Sequence, residues 1–445
     1  MYRITTELFS IPWEDKYIIY APLRRLAFLV TPGVVNLLHK ISIKGDQSSL
    51  RKKERESLKP FLELGLINGK IEKVLAHVNT EFMPTYVTLF LTNRCNLRCI
   101  YCYASGGEKQ EATLPVEIAK SAIDFVIKNT LLKNQKVFGI GFHGGGEPTL
   151  AWTTLEACVE YAKGRASEKG LNGNLYLATN GIMSREKLDW IMANFTGITL
   201  SLDGPERIQN YHRPFFNGKG SFGKVMETVK RMNERNFSYG VRTTVTDKSV
   251  GYMDEIVEFI ANTCRTKRIH LEPTFTCGRC AHSGIESPSA DEFIKGFRKA
   301  QKVAESLKVA VFYSGARLDT LTTIFCKAAG SSFCVTPDGD VTSCYEVCSK
   351  DDPRSEIFFY GRYDGKQMKF VFSEEKLAYL RNRTVNNISF CEDCFCKYHC
   401  AGDCLAKASG EKNLLTINNF TRCKINQTLT LDQIVKILNK GEIKN

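Results

Sequence analysis

The sequence predicts an α/β protein: strands alternating with helices, a small α+β module before them and a cysteine-dense, turn-rich segment after them. Three observations predict it. Between about residues 84 and 300, short apolar runs alternate with amphipathic helical patterns. Residues 1–80 read instead as strands followed by helices. Ten of the 17 cysteines fall between Cys326 and Cys423. At 445 residues the chain exceeds one hydrophobic core, and the texture divides it into 1–82, 83–305 and 306–445.

In the first part, "KYIIYAPL" and "RLAFLV" read as two strands joined by a tight turn. "TPGVVNLLHKI" opens with Thr-Pro, a helix-start signal. "SLRKKERESLKPFLELGLI" has helical apolar spacing, with Gly65 near its end. In the second part the strand candidates are "YVTLFL" (86–91), "FGIGFHG" (138–144), "LYLAT" (175–179), "ITLSL" (198–202), "VRTTV" (241–245) and "RIHLEP" (268–273). Near-continuous apolar strands joined by helices argue for a parallel sheet or barrel covered by helices. In the third part, "VTPDGDVTSC" reads as a hairpin turning at Asp338-Gly339, and residues 427–445 as a helical, lysine-rich tail.

Bulk composition narrows the function. Hydrophobic content of 43% with 11% aromatics supports packed cores. No apolar run approaches the roughly 18 residues of a membrane span. The N-terminal stretch has acidic residues where a secretory signal needs an apolar one, so a cytoplasmic protein is expected. Seventeen cysteines in that compartment point to metal or redox chemistry rather than disulfides. The net charge of +13 is spread along the chain rather than bunched with aromatics, which gives no support to nucleic-acid binding.

The polar exceptions sit just after the strands, where α/β folds gather their chemistry. "LTNRCNLRCIYCYASGG" (91–107) follows the first strand and presents Cys95, Cys99 and Cys102. Zinc sites need a fourth ligand, and the next cysteine is Cys158. Three thiolates can instead hold three irons of a four-iron cube and leave one iron open to an external ligand. "HGGGEP" (143–148), "ATNG" (178–181) and "SLDG" (201–204) end later strands. Glycines there let a ligand approach the backbone, and a carboxylate there can accept from an ammonium.

The C-x₃-C-x₂-C loop, with aromatic Tyr101 before its last cysteine, resembles the signature of the radical S-adenosylmethionine superfamily. The resemblance implies a partial (β/α)6 TIM-like barrel and a [4Fe-4S] cluster on Cys95, Cys99 and Cys102 that binds S-adenosyl-L-methionine. It further implies that Gly145, Gly146 and Glu147 hold the amino group of that nucleotide. Asn180, Ser201 and Asp203 would lie near its ribose and carboxylate, and Arg213, in "HRPFFNGKGSF", would bind carboxylate. Gly144 is an addition to the family pattern.

The cysteine-rich segment resembles the SPASM extension of peptide-modifying radical enzymes. Cys326 to Cys344 gives C-x₁₂-G-x₄-C with Gly339. "CEDCFCKYHCAGDC" gives C-x₂-C-x₅-C-x₃-C. By resemblance, one auxiliary [4Fe-4S] cluster takes Cys326, Cys334, Cys344 and Cys404, and another takes Cys391, Cys394, Cys400 and Cys423. Cys158, Cys264, Cys277, Cys280, Cys348 and Cys396 lie outside the scheme and read as small buried hydrophobes.

The function implied is a maturase that takes a hydrogen atom from a precursor peptide and installs a thioether or carbon–carbon crosslink, with reductant supplied by a flavodoxin or ferredoxin. The first 82 residues resemble the winged-helix-like element that recognises leader peptides by adding a strand to a sheet edge. The enzymatic alternative is an anaerobic sulfatase-maturing enzyme. Those enzymes place an aspartate directly after the cysteine matching Cys344, where this chain has Tyr345, with Glu346 next as the candidate base. A non-catalytic iron–sulfur electron carrier and a zinc-dependent nucleic-acid binder are the alternatives from other classes.

Overall fold

The computed structural model describes residues 2–44, 50–72, 75, 81–408 and 413–440. Its N-terminal part is a three-stranded antiparallel sheet of β1 (Phe9–Trp13), β2 (Lys16–Ala21) and β3 (Leu26–Val30), in that order. The reading of the sequence found β2 and β3 but missed β1, because Pro12 and Ser10 break its apolar run. Proline is tolerated there because β1 is an edge strand, with Pro12 opposite Tyr17.

Helices α1 (Pro32–Lys44) and α2 (Lys52–Glu63) follow. The side-chain alternation of β2 serves two cores. Ile19 and Ala21 pack against Leu37, Leu38, Leu58 and Phe61 of the helices. Ile18 and Tyr20 face Ile434 of the C-terminal helix (Phe420–Lys440). The N-terminal module is thus built into the rest of the chain through its central strand.

The main sheet contains every strand expected for the middle of the chain: β4 (Tyr86–Leu89), β5 (Val137–Phe142), β6 (Asn172–Thr179), β7 (Gly197–Ser201), β8 (Tyr239–Val245) and β9 (Arg268–Pro273). All six are parallel and adjacent in chain order. They are joined by helices α3 (Val116–Leu132), α4 (Trp152–Lys169), α5 (Arg185–Asn194), α6 (Glu206–His212), α7 (Phe222–Glu234) and α8 (Met253–Thr263), and followed by α9 (Ala290–Ser306).

The sheet does not stop at the expected boundary near residue 305. β10 (Ala310–Phe312) adds a parallel strand beyond β9, and β11 (Cys334–Val335) adds another beyond β4. Antiparallel β12 (Asp340–Thr342), β13 (Phe359–Asp364) and β14 (Lys369–Phe372) then complete an eleven-stranded open sheet. The expected hairpin joins β11 to β12, with Gly339 at φ 77° in its turn. Cys334 therefore lies in a strand paired with β4, which brings the cysteine-rich segment against the first strand of the array.

One consequence concerns the N-terminal core. Phe61 is 2% exposed between helix and sheet. Phe61→Ala is expected to cost about 3–5 kcal/mol, and limited proteolysis should cut within residues 2–72 at protease levels the wild type resists.

Candidate active site

The loop carrying Cys95, Cys99 and Cys102 has no regular structure of its own and is held by its neighbours. Backbone N–H groups of Arg98 and Ile100 donate to Pro214 and His212, those of Gly146 and Glu147 donate to Thr92 and Arg94, and that of Arg279 donates to Cys102. The Arg98 side chain closes the loop on itself, donating to the carbonyls of Cys95, Leu97 and Gly107.

These ties turn the three cysteines into one cavity of about 210 Å³, shared with Tyr101, Gly145, Gly146, Glu147, Asn180, Ser201 and Arg213. All the residues expected at this site are thus brought together except Asp203. Burial first, then the charges of Glu147 and Cys102, raise the Cys95 thiol to about 11; burial first, then Cys102 and Cys95 against the opposing Arg213, raise the Cys99 thiol to about 12. Donors face the sulfurs: Arg213 Nη1 lies 3.9 Å from Cys99 Sγ and Asn180 Nδ2 lies 4.0 Å from Cys95 Sγ.

The glycines explain how Glu147 comes so close. A Cβ at Gly146 would lie 2.0 Å from the Arg94 carbonyl, and one at Gly144, at φ 90°, would lie 2.5 Å from the Phe90 ring. The additional glycine therefore lets the segment fold over Phe90. Glu147 is 3% exposed, and among the described residues it accepts from neutral groups: Thr179 Oγ1 at 2.7 Å, the Asn180 N–H at 2.8 Å, Thr149 Oγ1 at 2.9 Å and the Thr149 N–H at 3.3 Å. Burial pushes its carboxyl above the usual range, and among the described residues no cation offsets this. A cationic ligand in the cavity would supply the missing charge.

Asp203 departs from expectation. It is fully buried and accepts from Tyr101 Oη, from Arg213 Nε at 3.0 Å and Nη2 at 3.2 Å, and from the Thr244 N–H at 3.0 Å; His212 Nδ1 stands at 3.1 Å. Burial alone would raise its carboxyl, but Arg213 and His212 bring it well below the usual range. Its oxygens are filled by these groups, and it braces Arg213 and Tyr101, which line the cavity. Arg213 in turn spends its fork on Asp203 and offers only Nη1 to the cysteine side.

A second cavity, of about 480 Å³, adjoins the first and shares Tyr103, His143, Arg242, Glu272, Glu346 and Lys407 with it. Cys326, Cys344 and Cys404 line it. Burial first, then Cys404, Glu346 and Cys326, raise the Cys344 thiol well above its ordinary value. Burial and then Cys326 do the same for Cys334. A second set converges elsewhere: burial, then Cys400, Cys394 and Cys423, push the Cys391 thiol up to about 12. Among the described residues no three His, Cys, Asp or Glu side chains close around a single metal ion. In a cube each thiolate takes a different iron and need not close so tightly.

Glu346 faces both cavities, 2.9 Å from Lys407 Nζ. Several pocket residues were not singled out from sequence, among them Arg242, Glu272, Lys407 and His143. Arg242 carries a weak signal, a charge inside an otherwise apolar parallel strand. His143 opens the "HGGGEP" stretch without being marked as a site residue there, and Lys407 carries no signal. Cys277 is also corrected: it lines the first cavity, while Cys158, Cys264 and Cys280 are buried as expected.

Comparison with known proteins bears on this geometry. Residues 89–260 match the model described as the radical SAM superfamily. An uncharacterised protein of Methanocaldococcus jannaschii is 34% identical over 176 residues, 39% of this chain and 58% of that one, so the chain spans little more than half the length of this relative. The sporulation killing factor maturation protein SkfB of Bacillus subtilis is 26% identical over 340 residues, 72% of this chain and 76% of its own. Among solved structures, native anSMEcpe with bound AdoMet shares the fold at a TM-score of 0.62 and 17% identity, covering 80% of this chain and 99% of that one. Streptococcus suis SuiB bound to its precursor peptide SuiA shares it at 0.56 and 12%, covering 94% and 98%.

The Asp203 brace is testable. Asp203→Asn removes the counter-charge of a buried guanidinium and is expected to cost about 3–5 kcal/mol, read as a lowered Tm in thermal unfolding.

Proposed function

We propose that this chain, whose residues 89–260 match the radical SAM superfamily, is an enzyme of that superfamily and modifies a precursor peptide by taking a hydrogen atom from one of its carbons. One observation carries the reading: the three-thiol loop and the cation-free Glu147 face a cavity that continues to Glu346 and to the thiols of Cys326, Cys344 and Cys404.

Cys95, Cys99 and Cys102 would hold a [4Fe-4S] cluster. Glu147, with the backbone of Gly145 and Gly146, would hold the ammonium of S-adenosyl-L-methionine. When bound, this pair supplies a 5′-deoxyadenosyl radical, which removes hydrogen from an otherwise unreactive C–H bond. Asn180, Ser201 and Arg213 Nη1 line the rest of that ligand's site, and Tyr101, held by Asp203, forms its wall.

Cys326, Cys334, Cys344 and Cys404 would hold one auxiliary cluster, and Cys391, Cys394, Cys400 and Cys423 another, with a flavodoxin or ferredoxin as electron source. Glu346, 2.9 Å from Lys407 Nζ, would take the proton released when a crosslink closes. The leader of the peptide would add to the edge of β3, which has no proline to interrupt its ladder.

Sulfatase maturation is the weaker reading. Where those enzymes carry an aspartate, Tyr345 lies against the His143 ring and 3.4 Å from Thr88 Oγ1, and the nearest carboxylate is one residue on.

Anaerobically reconstituted protein with S-adenosylmethionine and dithionite is expected to release 5′-deoxyadenosine, and Cys99→Ala to release none. Glu147→Gln loses a charge-assisted contact of about 1.5–3 kcal/mol, so the KM for S-adenosylmethionine should rise by at least roughly tenfold. Co-expression with a candidate precursor, a short peptide rich in cysteine or in repeated aromatic motifs, should yield a product lighter by about two hydrogens for each crosslink. An unchanged peptide mass would reject the maturase reading.

A further inference from the structure

The second auxiliary site holds one thiol too many. A cube takes four protein ligands, and Cys391, Cys394, Cys400 and Cys423 already supply them under the reading above. Cys396 is a fifth. It is 1% exposed, and its Sγ lies 3.4 Å from Cys394 Sγ.

The backbone aims this thiol at the site. Cys396 immediately precedes a helical turn, Lys397–Cys400, and its carbonyl accepts from the Cys400 N–H at 3.0 Å. Residues four apart on such a turn share a face, so Cys396 and Cys400 point the same way. Cys394 is tied from the other side. Its sulfur accepts from Gln427 Nε2 at 3.5 Å, and Gln427 lies one turn beyond Cys423 on the C-terminal helix. Cys396 is therefore wedged between two of the expected ligands.

Packing fixes the wedge. Of the residues between Cys394 and Cys400, Phe395 enters the core shared by Ile18 and Ile434. Lys397 bonds Glu7 at 2.5 Å, and Tyr398 donates to the same carboxylate. His399 Nε2 stands 2.5 Å from Tyr20 Oη. With every neighbour anchored to the N-terminal module, Cys396 keeps its place beside Cys394 whether or not Cys394 is present.

We propose that Cys396 is a reserve iron ligand of the second auxiliary site, able to take over the iron that Cys394 would hold. The exchange is a simple ligand substitution. The Cys396 thiol gives up a proton to solvent as its thiolate binds iron, the Cys394 thiolate leaves and takes up a proton, and no electron moves. The distance to be covered is the 3.4 Å between the sulfurs. Such a site keeps its cluster fully ligated when one thiol is lost to alkylation or oxidation. Packing alone does not account for the placement, because a buried alanine or valine would fill the space without facing two ligands.

The proposal rests on the auxiliary-cluster reading, and the test separates the two. Iron and acid-labile sulfide are counted in the reconstituted full-length wild type, in Cys394→Ala, in Cys396→Ala and in the double variant. The wild-type count tests the reading itself: a shortfall of about four irons against three cubes would overturn both. With a full wild-type count, each single variant should keep wild-type iron and the double variant should lose roughly four irons. Loss of those irons from Cys394→Ala alone, or their retention in the double variant, would overturn the proposal. Response of the loop cluster's EPR signal to S-adenosylmethionine in every variant serves as the check on folding.

Discussion

Everything at the centre of this molecule depends on making an irregular loop rigid enough to present three thiols in one direction. A loop with no ladder of its own must find partners for its backbone elsewhere. Here they come from three other strand ends: Gly146 and Glu147 after β5, His212 and Pro214 after β7, and Arg279 after β9. The parallel sheet gathers those ends on one side, so the loop is tied wherever the chain returns to that face. The glycines of the β5 turn are part of the same constraint, because a side chain at Gly146 would collide with the carbonyl the loop needs.

Charge is distributed by the same logic. Buried carboxylates that brace the fold are saturated: Asp203 by Arg213, Tyr101 and backbone, and Glu272 by Arg422, Ser314 and, at 3.1 Å, His270. Glu147 is buried to the same degree but is left with neutral donors. A protein pays for such a group only where something else completes it, and the cavity in front of Glu147 is where a cation fits. The Glu346–Lys407 pair stands between these extremes, neutralised within the wall yet facing both cavities.

Much of this was legible in the sequence because it is written in local pattern. The six parallel strands read correctly from "YVTLFL" to "RIHLEP", since strands buried on both faces are nearly continuous apolar runs. The cysteine loop and the glycine turn stand out as local patterns, while the grouping of the later cysteines into two sets is what the family resemblance implies. What escaped was either masked or non-local. β1 hid behind Pro12, and β10 and β11 are three and two residues long, too short to carry a period. Asp203 looked like a ligand contact because Asp-Gly at a strand end does not reveal that Arg213 will fold back onto it. Lys407 reaches the site only because β11 pairs with β4 and carries the cysteine-rich segment to the mouth of the array.

The central claim is that the loop of Cys95, Cys99 and Cys102 holds a four-iron cube whose open iron meets S-adenosylmethionine beside Glu147. Mössbauer spectra of iron-57-loaded protein, recorded with and without that nucleotide, address it directly. One iron site out of the whole set should change its isomer shift on addition, while the remaining sites stay as they were. Spectra that superimpose in the presence and absence of saturating nucleotide would contradict the account.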